Sequence, residues 1–329
     1  SEIVFTWQGG EPTLLGIDFF KKVIEYERLY CPPGKKIAND LQTNGTLLNE
    51  KWCEFLKEYN FLVGISIDGP ERLHNVYRVS KDGGPTFKRV FNATKLLHRY
   101  GIDFNTLTVV NRINAKFPGE VYRFLRDSVG STRIQFIPLV EPNIFKERPT
   151  TFMAEDSMPI IGTNEALPSK AGSIATDWSV VPQDYGRFLN GVFDLWYRND
   201  IGRVFVFLFE CALGQWLGMQ SSLCIFAETC GRALAIEADG SIYSCDHFVY
   251  PEHLLGNIMN KRLIDMVNST SQTVFGISKA ATLPDYCQRC EYLFACHGEC
   301  PKNRFVRTPE GEAGLNYLCS GLKLYFSHI

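Results

Sequence analysis

The chain has 329 residues, 45% of them apolar, with 34 Lys and Arg against 36 Asp and Glu for a formal net charge of −2. That length can bury one large core with a smaller appendage, and the near-neutral balance, without any basic run interleaved with aromatics, argues against a nucleic-acid-binding surface. No apolar stretch approaches a membrane span and the opening Ser1-Glu-Ile-Val-Phe-Thr-Trp7 is neither a signal nor a transit peptide, while 11 cysteines over this length are too few for a disulfide scaffold and point to a reducing cytoplasm and metal ligation.

From the start to about residue 140, short β-rich runs alternate with helical patterns. Ile3-Val-Phe-Thr-Trp7 reads as a strand and 18–29 as an amphipathic helix. Residues 37–43 read as a strand, and Asn49 as the cap of a helix to about Tyr59. Leu62-Val-Gly-Ile-Ser-Ile67 is nearly all apolar, the mark of a parallel strand covered on both faces. A helix over 86–99, a strand over 103–110, a helix over 115–127 and a strand over 133–139 complete the series. Repeated βα units predict a parallel sheet with right-handed crossovers, and ligands in such sheets sit beyond the carboxyl ends of the strands. Three of those ends carry Gly9-Gly10-Glu11-Pro12, Gln42-Thr43-Asn44-Gly45 and Ser66-Ile67-Asp68-Gly69. Each alone reads as a βα turn; three in succession favour a ligand site, with Glu11 offering an acceptor to a cationic amine.

Residues 141–182, rich in Pro, Ser, Thr and Gly, read as a long loop near the substrate, followed by helices over 182–199 and 204–219. Phe188, Val192, Phe193 and Trp196 fall at helical spacing and are expected in the core. Eight of the 11 cysteines then crowd into the last third: Cys224, Cys230, Cys245, Cys287, Cys290, Cys296, Cys300 and Cys319. Thiolates are the ligands that soft iron and zinc sites favour, four to a site, so eight make two sites, of iron–sulfur or of zinc. Between Cys230 and Cys245, Ala233-Leu-Ala-Ile-Glu-Ala238 and the turn Asp239-Gly240 predict two short paired strands. Cys31, Cys53 and Cys211 lie outside the pattern and are expected as small buried apolar groups.

The order cysteine, a gap ending in glycine, four residues, cysteine, then Cys-x2-Cys-x5-Cys-x3-Cys and a last cysteine resembles the SPASM region of radical S-adenosylmethionine (SAM) enzymes. All seven positions match, and Cys224 adds an eighth. Trp7-Gln8-Gly9-Gly10-Glu11-Pro12 resembles the GGEP motif of those enzymes. Leu41-Gln42-Thr43-Asn44-Gly45 and Ser66-Ile67-Asp68-Gly69-Pro70, with His74 and Arg78 downstream, are similar to the anaerobic sulfatase-maturating branch. The resemblance implies an α/β fold: a partial (β/α)6 radical SAM barrel lacking its first strand over 1–140, a connecting loop and helices over 141–220, and a small cysteine-rich SPASM domain over 221–329. It implies SAM held by Gly9, Gly10, Glu11, Pro12, Gln42, Asn44, Ser66 and Arg78. One auxiliary [4Fe–4S] cluster would sit on Cys224, Cys230, Cys245 and Cys300, and a second on Cys287, Cys290, Cys296 and Cys319. His297 would make hydrogen bonds around the ligands, and Asp246 would be the general base.

The reaction so implied converts an active-site Cys or Ser of a sulfatase to Cα-formylglycine. Its partners would be the sulfatase polypeptide and an electron donor such as flavodoxin or ferredoxin, with no nucleic acid and no membrane. The family's Cys-x3-Cys-x2-Cys loop, which precedes GGEP and holds a third, SAM-binding [4Fe–4S] cluster, does not occur in these residues. An N-terminally truncated chain, inactive as it stands, is therefore expected. Two other readings are another SPASM-type peptide-modifying enzyme and a non-catalytic metal-binding relative.

Overall fold

The computed structural model describes residues 2–329. They fall into two compact units, one formed by the chain up to Pro138 with Gly191–Phe207, the other by Leu139–Asn190 with Leu208–Ile329. The expected middle segment, 141–220, is shared between them.

The first unit is built on six parallel strands in sequential order. They are β1 (Glu2–Trp7), β2 (Lys36–Thr43), β3 (Leu62–Ser66), β4 (Phe104–Val110), β5 (Arg133–Pro138) and β6 (Phe205–Val206). The crossovers carry α1 (Ile17–Tyr30), α2 (Glu50–Glu58), α3 (Glu71–His74), α4 (Phe87–Tyr100) and α5 (Pro118–Arg123), and the second part of α6 (Pro182–Asn199) also belongs here. Asn49 caps α2 by accepting from the Trp52 N–H, and Gly101 closes α4 in the left-handed conformation. The helix expected over 115–127 is broken: Pro118 starts α5 anew after a 3₁₀ turn, Asn114–Lys116, and a π turn follows over Phe124–Ser128. Within the helix expected over 204–219, Phe205–Val206 instead joins the sheet, where the Phe205 N–H donates to Thr132 O and Ile134 pairs with Val206.

One face of this sheet is buried and the other only half covered. In β4, Phe104, Thr106, Thr108 and Val110 are buried while Asn105, Leu107 and Val109 are partly exposed. Strand β3 alternates in the same way, so the expectation of a strand covered on both faces is corrected: Val63 and Ile65 are buried, but Leu62, Gly64 and Ser66 lie on the half-open face. Behind the buried face Phe20 meets Trp52 and Phe61 edge-on, with ring centroids 5.7 and 6.1 Å apart.

The second unit begins with the long 141–182 segment, which has no helix longer than a 3₁₀ turn up to α6. It is tied to itself by Val180 N–H to Leu139 O, Thr176 N–H to Glu141 O and Asn143 N–H to Ile174 O, at 2.7–2.9 Å. Helix α7 (Phe207–Trp216) leads to an antiparallel meander of β7 (Ala235–Ile236), β8 (Ser241–Tyr243) and β9 (Leu254–Asn257). The last strand of the meander was not expected. Helices α8 (Leu263–Val267), α9 (Thr270–Ala281), α10 (Asp285–Gln288), α11 (Leu293–Cys296) and α12 (Cys319–Phe326) complete it. Phe188, Val192, Phe193 and Trp196 are all buried, as their spacing predicts, and so are Cys53 and Cys211; Cys31, at the end of α1, is half-exposed instead.

Helix α12, which carries Cys319, crosses the start of α6 at two glycines. A β-carbon on Gly321 would fall 1.9 Å from Pro182 O, and one on Gly186 would fall 2.3 Å from Gly321 O. Both contacts are with backbone, so neither can yield without moving a helix. Gly321→Ala is therefore expected to destabilise this unit by about 2 kcal/mol or more, seen as a lowered thermal midpoint; an unchanged midpoint would contradict the close crossing.

Candidate functional site

In the first unit the three polar motifs meet at the carboxyl ends of β1, β2 and β3. Gly9 and Gly10 have φ of 87° and 51°, a region side chains avoid, and open space lies where their β-carbons would be. Glu11 caps the turn Pro12–Leu15, its Oε1 accepting from the Thr13 N–H at 3.1 Å. The same oxygen accepts from the Thr13 and Thr43 hydroxyls, and Oε2 accepts from the Asn44 N–H at 2.7 Å. One carboxylate thus joins the GGEP loop to the QTNG loop. Asn44 spends its side-chain oxygen within its own turn, on the N–H and hydroxyl of Thr46.

Gln42 lies across the half-open face of the sheet and donates to Ser66 Oγ at 3.1 Å. It can do so because its neighbour in register is Gly64: a β-carbon there would sit 2.0 Å from Gln42 Oε1. The next strand places Asn105 beside Gly64, and Asn105 Oδ1 is buried with no hydrogen-bond partner among the described residues. A buried acceptor left open beside Gln42 and Ser66 is free to take a donor from a ligand or a water. Asn105 was not singled out in the sequence, where one Asn within an alternating strand carries no signal.

Arg78 grips Asp68 with two hydrogen bonds, of 2.7 and 3.2 Å, and Asp68 also accepts from the Val109 N–H at 2.9 Å. The aspartate side chain is only 3% exposed, so this is an inward pair and not a surface one. Burial pushes His74 down to about 4, which keeps its imidazole neutral; Nδ1 accepts from the Asp68 N–H and Nε2 faces the Thr86 hydroxyl at 3.0 Å. Arg78 and His74 thereby hold the SIDG loop.

In the second unit the eight expected thiols sort into two groups of four. Burial raises every member with a resolved shift, Cys287 to about 11 and Cys319 to about 12. Added to burial, the charge of Cys224 acts on Cys230 and Cys245, and those of Cys245 and Cys230 act on Cys300. Separately, Cys319 and Cys287 act on Cys296, Cys287 and Cys290 on Cys319, and Cys290 on Cys287. The second four line one hollow, walled by Tyr286, Tyr292, Leu322 and Phe326. Among the described residues no three His, Cys, Asp or Glu converge as one metal ion requires.

Local structure explains the separation. Cys296 ends α11 and Cys300 lies four residues on, yet they join different groups. Between them His297, Gly298 and Glu299 are all left-handed, with φ of 45°, 69° and 50°, so the chain reverses hand between the two cysteines. On the other side, Cys230 N–H donates to Gly276 O, and a β-carbon on Gly276 would fall 2.8 Å from Cys230 O. Asp246 Oδ1 accepts from the Cys245 thiol and from the His247 N–H, both at 3.1 Å. His247 Nδ1 lies 3.4 Å from Cys300 Sγ, a contact the spacing did not point to.

The Radical SAM superfamily model matches residues 2–125, and the SPASM model, described as an iron-sulfur cluster-binding domain, matches 224–291. Parallel sheet and cysteine module together define a radical SAM enzyme with an auxiliary iron–sulfur domain. A serine-type anaerobic sulfatase-maturating enzyme of Bacteroides thetaiotaomicron is 43% identical over 328 residues, covering 100% of this chain and 76% of that protein. A cysteine-type enzyme of Clostridium perfringens (strain 13 / Type A) is 33% identical over 326 residues, covering 98% of this chain and 80% of the relative. The chain belongs to the anaerobic sulfatase-maturating enzyme family. Among solved structures, hexahistidine-tagged anSMEcpe with bound AdoMet superposes with a TM-score of 0.83 at 33% identity, covering 99% of this chain and 78% of the other. Native anSMEcpe with bound AdoMet and Cp18Cys peptide gives 0.82 at 33%, covering 99% and 82%.

The four hydrogen bonds to Glu11 give a direct test. An amide in its place must turn its NH₂ toward at least one of those donors. Glu11→Gln is expected to cost about 1–3 kcal/mol of stability, read as a lower denaturation midpoint; a wild-type midpoint would show that the carboxylate does not join the two loops.

Proposed function

We propose that this protein oxidises an active-site Cys or Ser of a sulfatase polypeptide to Cα-formylglycine, using SAM as oxidant. The observation that carries the proposal is the grouping of eight thiols into two fours, in a chain that keeps the GGEP, QTNG and SIDG loops together at one end of a parallel sheet. The donor set fits the groups it would hold. Cys224, Cys230, Cys245 and Cys300 would take one [4Fe–4S] cluster, and Cys287, Cys290, Cys296 and Cys319 the other, each with all-thiolate ligation. SAM would be held by the loop Gly9, Gly10, Glu11 and Pro12, by Gln42, Asn44 and Ser66, and by the segment that Arg78 fixes. The unsatisfied Asn105 oxygen supports a ligand on that face.

When bound, SAM with its reducing cluster supplies a hydrogen-abstracting 5′-deoxyadenosyl radical for the target β-carbon, and the auxiliary clusters supply an acceptor for an electron. The protein itself must then take the proton from the target thiol or hydroxyl. Asp246 is the residue assigned to this step, as general base. Its Oδ1 now accepts from the Cys245 thiol; as a deprotonated ligand, Cys245 has no proton to give, and that oxygen gains room for the substrate's. Buried thiols held above their usual range bind metal only by releasing protons, so the sites load best in neutral to alkaline, reducing conditions. All 11 cysteines are free, which supports a reducing, cytoplasmic setting, with a low-potential carrier such as flavodoxin or ferredoxin as electron donor. No described helix is long and apolar enough to cross a membrane.

Asp246→Asn in the complete enzyme is expected to retain SAM binding and iron content while formylglycine formation on a sulfatase peptide, followed by mass change, drops about 100-fold or more. Undiminished product would remove Asp246 from the role.

A further inference from the structure

Two buried cations in the second unit have no part in the chemistry above. Lys279, on α9, is 0% exposed, and its ammonium donates to three backbone carbonyls: Cys224 at 2.7 Å, Ile225 at 2.8 Å, and Ala227. Three acceptors for three N–H bonds are the signature of a protonated amine, since a neutral one has only two to give. Arg304 is 6% exposed and also spends its N–H groups chiefly on carbonyls. It reaches Lys279 at 2.6 Å, and Gly298 and His297 at 3.1 Å each. Neither cation forms an ion pair among the described residues; their hydrogen-bond partners are neutral. Burying a cation this way is expensive unless a counter-charge stands nearby.

The one buried carboxylate among the described residues of this unit, Glu299, is 2% exposed and is itself held by the amides of Asn303 at 2.8 Å and Asn316 at 2.7 Å. One buried anion against two buried cations leaves a surplus of positive charge inside the module. The hydrogen bonds show where that surplus lies. Lys279 grips the backbone of Cys224 itself, one member of the first group. Arg304 grips the left-handed link that runs from Cys296 of the second group to Cys300 of the first. Sulfur charge is felt accordingly: Lys279 by Cys230 and Cys300, Arg304 by Cys287, Cys296 and Cys300. Once deprotonated to hold clusters, the thiolates of the two groups would supply the missing counter-charge.

We infer that Lys279, Arg304 and Glu299 are potential-setting residues: Lys279 raises the reduction potential of the cluster on Cys224, Cys230, Cys245 and Cys300, Arg304 raises that of both clusters, and Glu299 lowers both. The inference rests on the proposal that the two groups hold clusters. Its physics is elementary. Reduction adds one negative charge to a cluster, so a fixed cation beside it stabilises the reduced form and a fixed anion opposes it, with little screening in a buried site. The surplus of cations keeps both clusters able to accept an electron from a substrate radical. A purely structural role for these side chains makes no prediction about sign.

The test is an EPR-monitored redox titration of the anaerobically reconstituted full-length enzyme, with iron and acid-labile sulfide measured in the same samples. Lys279→Gln is expected to lower one of the two auxiliary midpoints by at least a tenfold change in the oxidised-to-reduced ratio, 59 mV for a one-electron couple. Lys279→Arg, which keeps the charge, should stay near wild type. Glu299→Gln keeps an oxygen for Asn303 and Asn316 to donate to, and should raise both midpoints. Unshifted midpoints in Glu299→Gln, or shifts of the same sign in both charge-removing variants, would overturn the inference. Should Lys279→Gln fail to load iron, the upward shift in Glu299→Gln still decides it. Wild-type enzyme without iron or sulfide at these cysteines would instead overturn the proposal on which the inference rests.

Discussion

The cysteine module depends on one short reversal of backbone hand. Without the left-handed residues His297, Gly298 and Glu299, Cys300 would continue the course set by α11 and fall beside Cys296. Two of the three carry side chains in a conformation that costs roughly 1–2 kcal/mol each, so the surroundings must hold them there. They do: Arg304 takes the carbonyls of His297 and Gly298, and Asn303 and Asn316 take the carboxylate of Glu299. Gly298 has no alternative, since a β-carbon would meet Leu283 Cδ2 at 2.2 Å and Arg304 Nη2 at 2.6 Å. The same side chains that secure this link also set the charge between the two thiol groups, which makes geometry and electrostatics one feature.

The first unit reaches its ligand face by a related economy of parts. Glu11 joins two loops, Gly64 lets Gln42 lie flat across the sheet to Ser66, and Arg78 with Asp68 holds a third loop. These groups come from successive βα ends, so their neighbourhood follows from parallel pairing in register. Such rigid support lets a few polar atoms, including the open Asn105 oxygen, be aimed with little entropy lost on binding.

Much of this was legible in the residues. The alternation of apolar runs and helical patterns predicted five of the strands and their parallel pairing, because period 2 and period 3.6 differ sharply over such lengths. Strand β6 escaped notice because two residues followed at once by an apolar helix have no period of their own. The division of cysteines into fours came through motif resemblance; spacing alone would have put Cys296 and Cys300 in one site, and the left-handed reversal that separates them has no strong local signal beyond Gly298. Lys279, Arg304 and His247 were missed for a plain reason: a lone basic residue reads as solvated surface until its neighbours in space are known.

The central claim is that eight thiols form two independent iron–sulfur sites. It is tested most directly by iron and acid-labile sulfide analysis of anaerobically reconstituted full-length protein carrying Cys230→Ala, Cys290→Ala, or both. Each single substitution should remove about four iron and four sulfide per chain, and the double about eight, with the surviving cluster unchanged in its EPR signal. Loss of all auxiliary iron in either single variant, or no added loss in the double, would contradict the division into two sites.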